Sequence, residues 1–161
     1  MRENQRVQFG AVLSDDGLYR YRLTRQWDDQ GRLGVFVMLN PSTADAERDD
    51  PTIRRCIGFC KSWGLGSLEV VNLYAYRATK PNELLRVSDP VGPENDWYLI
   101  DALSRADVAI AAWGNHGKRE RVTQVIALPG ADRLECLGTT KAGTPRHPLY
   151  VRKEQQPVAL P

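Results

Sequence analysis

The sequence predicts an α/β protein, a three-layer α/β/α sandwich with a mainly parallel central sheet and an antiparallel hairpin at its N-terminal end. Three observations point there. Apolar stretches at 34–39, 68–73 and 108–113 do not alternate with polar residues, as expected of strands covered on both faces. Helical patterns separate these stretches, and buried strands alternating with helices imply parallel βαβ crossovers. Ahead of them, 7–13 and 18–26 flank Ser14-Asp15-Asp16-Gly17, and Asp-Gly between extended segments signals a hairpin.

Each element has its own signal. In the hairpin, Tyr19, Tyr21 and Leu23 alternate with Arg20, Arg22 and Thr24, a period of two that predicts one wet face near a sheet edge. The strand at 34–39 ends at Asn40-Pro41. Asp50-Pro51 is an N-cap and first-turn pair, after which Ile53, Cys56, Ile57 and Cys60 recur at helical spacing until Gly64. A short helix is expected at 81–86. A longer one begins at Pro93, with Trp97, Ile100 and Leu103 expected to face inward. Residues 118–128 form another amphipathic helix with Val122, Val125 and Ile126 on one side, and 134–137 a short final strand. A single domain at 1–153 and a loose tail at 154–161 complete the expected organisation.

Composition fits this picture. The 161 residues are 42% hydrophobic and 26% charged, typical of globular rather than disordered or fibrous chains. Twenty-two basic against 20 acidic residues leave a formal charge of +2, which argues against a polybasic nucleic-acid or membrane binder while permitting a local basic lip. Three cysteines make no disulfide framework, and Cys56 and Cys60 fit one apolar helix face. With no signal-peptide pattern and no apolar run of membrane-spanning length, a cytoplasmic protein with no membrane partner is expected.

In an open sheet of this kind ligands bind beyond the carboxyl ends of the strands. That rule selects Asn40 to Thr43, Asn72 with Tyr74 and Arg77, Gly114-Asn115-His116, and 138–147. Asn40 can hold a water or read a base edge with its amide, or it can simply brace a turn. Ser42 and Thr43 suit helix capping or phosphate contact. Asn72 interrupts an apolar strand, where a buried amide is costly unless it is partnered. It either bonds a neighbouring loop backbone or presents a donor and acceptor side by side to a planar heterocycle. His116 and His147, the only histidines, both fall in these loops. They stand 31 residues apart with no CxxC or HxxxH pairing, which argues against zinc. Asp45, Glu47, Asp49 and Asp50 read first as helix N-terminal or solvated charge and secondly as a magnesium site. The glycine clusters complete neither a dinucleotide fingerprint nor a P-loop, so no cofactor is expected. Lys80, Lys118, Arg119, Arg121, Lys141 and Arg146 could gather charge at the rim, and Tyr74, Tyr76, Trp113 and Tyr150 could stack on bases or belong to the core.

Taken together, the motifs Met38-Leu39-Asn40-Pro41-Ser42-Thr43-Ala44-Asp45, Asp50-Pro51-Thr52-Ile53-Arg54-Arg55, Val70 to Arg77, Trp113-Gly114-Asn115-His116-Gly117 and Pro145 to Tyr150 resemble those of a bacterial and phage family known only as a domain of unknown function, DUF1643. More distantly the pattern is similar to the uracil-DNA glycosylase superfamily, with Asn-Pro after the first parallel strand, an Asn on a central strand and His-Pro after the last. That resemblance implies a uracil-DNA-glycosylase-like fold in which Asn40 positions a hydrolytic water, Asn72 reads a pyrimidine edge and His147 stabilises the departing base. Two positions depart from it. Ser42 stands where the small mismatch-specific and single-strand-selective branches carry Gly, and Leu149-Tyr150 stands where Ser-Pro is usual.

The functional expectation is a protein that binds a pyrimidine base or nucleotide, with an N-glycosylase on normal, damaged or modified DNA as its enzymatic form. Asn40 and His147 would be catalytic. Asn72, Ser42, Thr43, Tyr74, Arg77, Asn115, His116 and Arg146 would bind substrate, without metal or cofactor. The alternatives are a non-catalytic nucleotide or modified-base binding module and a protein-interaction domain.

Overall fold

The computed structural model describes residues 6–42 and 48–161. Strands β1 (Gln8–Leu13) and β2 (Arg20–Gln26) form the expected hairpin, closed by a bond from the Gly17 amide to the Ser14 carbonyl at 2.9 Å, with Gly17 at φ 75°. β3 (Leu33–Met38) leads to α1 (Pro51–Ser62), whose Asp50 N-cap accepts from the Ile53 amide. β4 (Ser67–Asn72), a 3-10 turn (Pro81–Arg86), α2 (Asn95–Arg105), β5 (Val108–Ala111), α3 (Arg119–Ile126) and β6 (Glu135–Cys136) follow.

These strands and β7 (Val158–Ala159) make a mixed α/β fold on one seven-stranded sheet in the order β1-β2-β4-β3-β5-β6-β7. The run β4-β3-β5-β6 is parallel, and the outer pairings are antiparallel. The seventh strand, β7 (Val158–Ala159), lies in the segment expected to be a loose tail. It pairs with β6, although its exposed two-residue strand has no pattern a sequence reading could detect.

The period-two alternation of the buried strands sends neighbouring side chains to opposite faces. Val35, Val37, Val71 and Ala111 meet Leu99 and Leu103 of α2 and Val125 of α3. Phe36, Met38, Val70 and Ile110 meet Ile53, Cys56 and Phe59 of α1. Close packing of α1 explains Gly34, because a Cβ there would stand 2.7 Å from the Cys60 sulfur. Burial pushes the Cys60 thiol up to about 12 and raises Cys56 as well, as befits core cysteines.

Three expectations need correction. Trp97 is 61% exposed, since α2 turns Asn95, Leu99, Ala102 and Leu103 inward instead. Ile126, at the end of α3, is also exposed, leaving Val125 as that helix's buried apolar residue. Arg20, assigned to a wet face, is 5% exposed because its end of β2 is covered. No helix among the described residues is long and apolar enough to cross a membrane.

Topology locates the functional end of the sheet. The chain leaves β3 for β4 on one side, whereas β5 leads to β6 on the other, so the direction of winding reverses between β3 and β5. A crevice is expected outside the carboxyl ends at such a switch point.

Candidate functional site

A hollow of about 640 Å³ opens at that switch point, within the roughly 300–1,000 Å³ typical of small-molecule sites. Met38, Ile53 and Val70 give it an apolar wall on the α1 face of the sheet. Its polar groups come from the ends of β3, β4 and β5, from the segment after β6, and from Arg20 of β2 and the start of α1.

Asn72 closes β4 and lines the hollow at 2% exposure. Its Oδ1 is buried without a hydrogen-bond partner among the described residues. The bland alternative, an amide bonded to loop backbone, therefore does not describe that oxygen. An unsatisfied buried acceptor costs about 1–3 kcal/mol. The strand end beneath it is firmly held: Asn95 Nδ2 donates to the Asn72 and Leu73 carbonyls at 2.9 and 3.2 Å, and Arg121 Nε donates to the Leu73 carbonyl at 2.8 Å.

Asn40 also lines the hollow, but its amide first serves the backbone. Nδ2 donates to the Pro41 carbonyl at 2.9 Å and the Ala78 carbonyl at 2.8 Å, stapling the loop after β3 to the loop after β4. Both acceptors are carbonyls, so the amide cannot be reversed without losing both bonds. Oδ1 remains as its acceptor.

His147 reaches the hollow from the opposite side, brought there by the bond from the Gly114 amide to the Pro145 carbonyl. Its Nδ1 accepts from the Leu149 amide at 3.2 Å and caps the 3-10 turn Pro148–Tyr150. That bond requires Nδ1 to be bare, so the neutral ring carries its proton on Nε2 as a donor. Burial pushes the His147 pKa below its ordinary value, and the charge of Asp50 opposes the shift.

The remaining expected residues divide. Ser42 lines the hollow and donates to Asp50 Oδ2 at 3.3 Å. Asn115, His116 and Arg146 form its exposed lip. Asn115 Oδ1 accepts from Thr140 at 3.1 Å and from Thr144, joining the β5 and β6 loops, while Arg146 Nε donates to the Thr139 carbonyl at 3.0 Å. Tyr74 and Arg77 are not part of this lining. Tyr74 is 4% exposed and its hydroxyl accepts from the Lys118 amide, and Arg77 donates to the Gly17 carbonyl at the hairpin turn. Thr43, Asp45 and Glu47 lie outside the described residues. The two described acids of that cluster have structural partners: Asp49 pairs with Arg25 at 2.8 Å and Asp50 caps α1.

Among the basic candidates, Lys80, Lys118, Arg119 and Lys141 are exposed but only Arg146 lines the main hollow, and Arg121 is buried against Asp96 and Leu73. Of the aromatic ones, Tyr150 is 79% exposed on the lip beside His147, Trp113 forms part of the wall, and Tyr76 sits edge-on to Tyr19 away from it.

Sequence reading missed two charged wall residues. Arg20 was hidden by its place in an alternating strand. Burial and then nearby Arg77 push its guanidinium down to about 10, with Asp50 opposing. Asp50, expected as a cap or as one of an acidic cluster, caps α1 with Oδ1, accepts from Ser42 with Oδ2 and also lines the hollow.

Fold and site define a mixed α/β protein with a part-apolar, amide-bearing cavity at the switch point of its sheet. The chain matches the model of the family described as "Protein of unknown function (DUF1643)" over residues 20–149, and it belongs to that family. No curated protein and no solved structure matches it.

Proposed function

We propose that the hollow binds a pyrimidine nucleobase within a nucleotide or nucleic-acid strand, and that the chain is an N-glycosylase with a uracil-DNA-glycosylase-like three-layer α/β/α architecture. One observation carries the reading: Asn72 holds an unpartnered, buried amide oxygen in the wall of a cavity of nucleotide size. A base edge offers such an amide a donor beside an acceptor.

The neighbouring groups suit cleavage of the glycosidic bond. Water held by Asn40 Oδ1 attacks the sugar's anomeric carbon and gives up one proton to solvent. The departing base takes one up in turn, and one water is thus added across the broken bond. The carbon–nitrogen bond breaks with its electron pair going to the base, and the Nε2–H of neutral His147 donates to the oxygen on which that charge develops. Asn115, His116 and Arg146, exposed and polar, hold the sugar-phosphate at the lip, with half-buried Ser42 behind them. Neither metal nor cofactor enters this scheme.

A non-catalytic base-binding module is the second reading, favoured by the commitment of both Asn40 amide hydrogens to loop carbonyls. Incubation with oligonucleotides carrying uracil, thymine and modified pyrimidines, followed by assay for free base and abasic sites, separates the two. Base release reduced at least ~100-fold in Asn40→Ala and His147→Ala supports the enzyme. Nucleoside binding that needs Asn72 but releases no base supports the module. A chain that neither binds nor cleaves any of these probes overturns both.

A further inference from the structure

Asn72 is not the only buried group left unsatisfied at the hollow. Trp113, directly after β5 and its following Ala112, is 2% exposed and forms part of the same wall, and its Nε1 is buried without a hydrogen-bond partner among the described residues. An indole N–H is a donor only, and buried tryptophans ordinarily find an acceptor for it. The apolar remainder of the ring packs into the core with Leu73 and Val125, so it is anchored by hydrophobic burial that gives no reason for an idle N–H.

We propose that Trp113 is a specificity-determining residue whose indole N–H donates to a carbonyl oxygen of the hollow's occupant. This rests on the base-binding reading above and narrows it. Asn72 Oδ1 calls for a donor and Trp113 Nε1 for an acceptor on one planar ring, and in the pyrimidine of the base-binding reading that acceptor is a carbonyl oxygen. Uracil, thymine and cytosine meet that demand. Adenine's ring nitrogens also accept, so it is distinguished by its second ring and by lacking a carbonyl oxygen at that place, and adenosine is the probe that tests whether the oxygen is required.

The test is titration of the intact protein with uridine, cytidine and adenosine, followed by thermal stabilisation and calorimetry, on wild type and on Trp113→Phe, which keeps an aromatic ring and deletes the donor. Wild type is expected to favour uridine and cytidine over adenosine. Trp113→Phe should weaken the two pyrimidines on the order of 10-fold, the effect of one lost hydrogen bond, and leave adenosine unchanged. A second measurement does not depend on the variant folding: the Trp113 indole proton of wild type, followed by ¹H–¹⁵N NMR, should shift and exchange more slowly with solvent when uridine is added. Uridine binding that is equally tight in Trp113→Phe, or that leaves the indole resonance unmoved, overturns the role of Trp113 while the base-binding reading stands. Failure of all three nucleosides and of the pyrimidine oligonucleotides to bind wild type overturns that reading and this inference with it.

Discussion

Glu69 and Asn72 stand on β4 three residues apart, both 2% exposed, yet on opposite faces of the sheet their polar atoms are treated in opposite ways. Glu69 faces α2. Both of its carboxylate oxygens accept from Arg105 Nη2, at 3.0 and 2.8 Å, and Arg22 Nε lies 3.4 Å from Oε1. Asp101 completes the group with Arg105 and Arg22, and its pKa is lowered first by the hydrogen bond from Arg105. Asn72 faces α1 and the hollow, and its oxygen bonds to nothing among the described residues. A buried polar group is normally paired. Glu69, whose oxygens obey this rule, ties β4 to α2, whereas Asn72, whose oxygen breaks it, stands in the wall of the hollow.

Removing each group should therefore have opposite consequences for stability. The largest expected effect is at Glu69→Ala, which leaves Arg22 and Arg105 without their buried partner. Because Arg105 is 42% exposed and keeps Asp101, the cost should be about 2 kcal/mol rather than the 3–5 of a fully buried pair, a fall in Tm of roughly 4–8 °C. Unchanged thermal unfolding would remove the contrast. Next comes Asn95→Ala, which withdraws two hydrogen bonds from the end of β4. A loss of about 1 kcal/mol is expected in chemical denaturation, moderated because Asn95 Oδ1 is itself unpartnered, together with weaker uridine binding as Asn72 loses its footing.

Asn72→Leu inverts the direction. Leucine has a similar shape and no orphaned oxygen, so stability should rise by up to about 1 kcal/mol while nucleoside-induced stabilisation disappears. A destabilised Asn72→Leu protein would mean that the amide serves the fold after all.

The smallest effect concerns pH. Burial holds His147 neutral in the folded protein below its ordinary value of 6.5. As pH falls through that value the unfolded chain takes up a proton that the folded chain resists, so this group's contribution to stability declines on acidification and is restored as pH rises. His147→Asn retains an acceptor for the Leu149 amide without the titration. Its stability should fall less than that of wild type between pH 7.5 and 5.5, measured by denaturant unfolding at each pH.

Much of the architecture was legible because local chemistry and tertiary demand agree there. Ser14 to Gly17 could hardly do other than turn, Asp50-Pro51 starts α1, and unbroken apolar stretches became the inner parallel strands. Misreadings arose where tertiary context decided. Trp97 and Ile100 share a helical spacing with Leu103, but so do Asn95, Leu99 and Ala102, and only packing against the sheet chose the second set. Arg20 looks like its neighbour Arg22, and a period of two cannot reveal that one end of β2 is covered. Asn40, Asn72 and His147 were legible as strand-end polar residues and do border one hollow. Tyr74 and Arg77 followed the same strand, but the chain turns after Leu73 to hydrogen-bond with the hairpin and the β5 loop.

The staple formed by Asn40 has a consequence for what can replace it. Aspartate is the nearest relative of asparagine in size, and it too could hold a water. Here it would aim a carboxylate oxygen at the carbonyls of Pro41 and Ala78, trading two attractions for two repulsions. The exchange most conservative on paper is thus the one this corner of the molecule is least able to absorb, and an acidic substitute would have to arrive together with a rebuilt pair of loops.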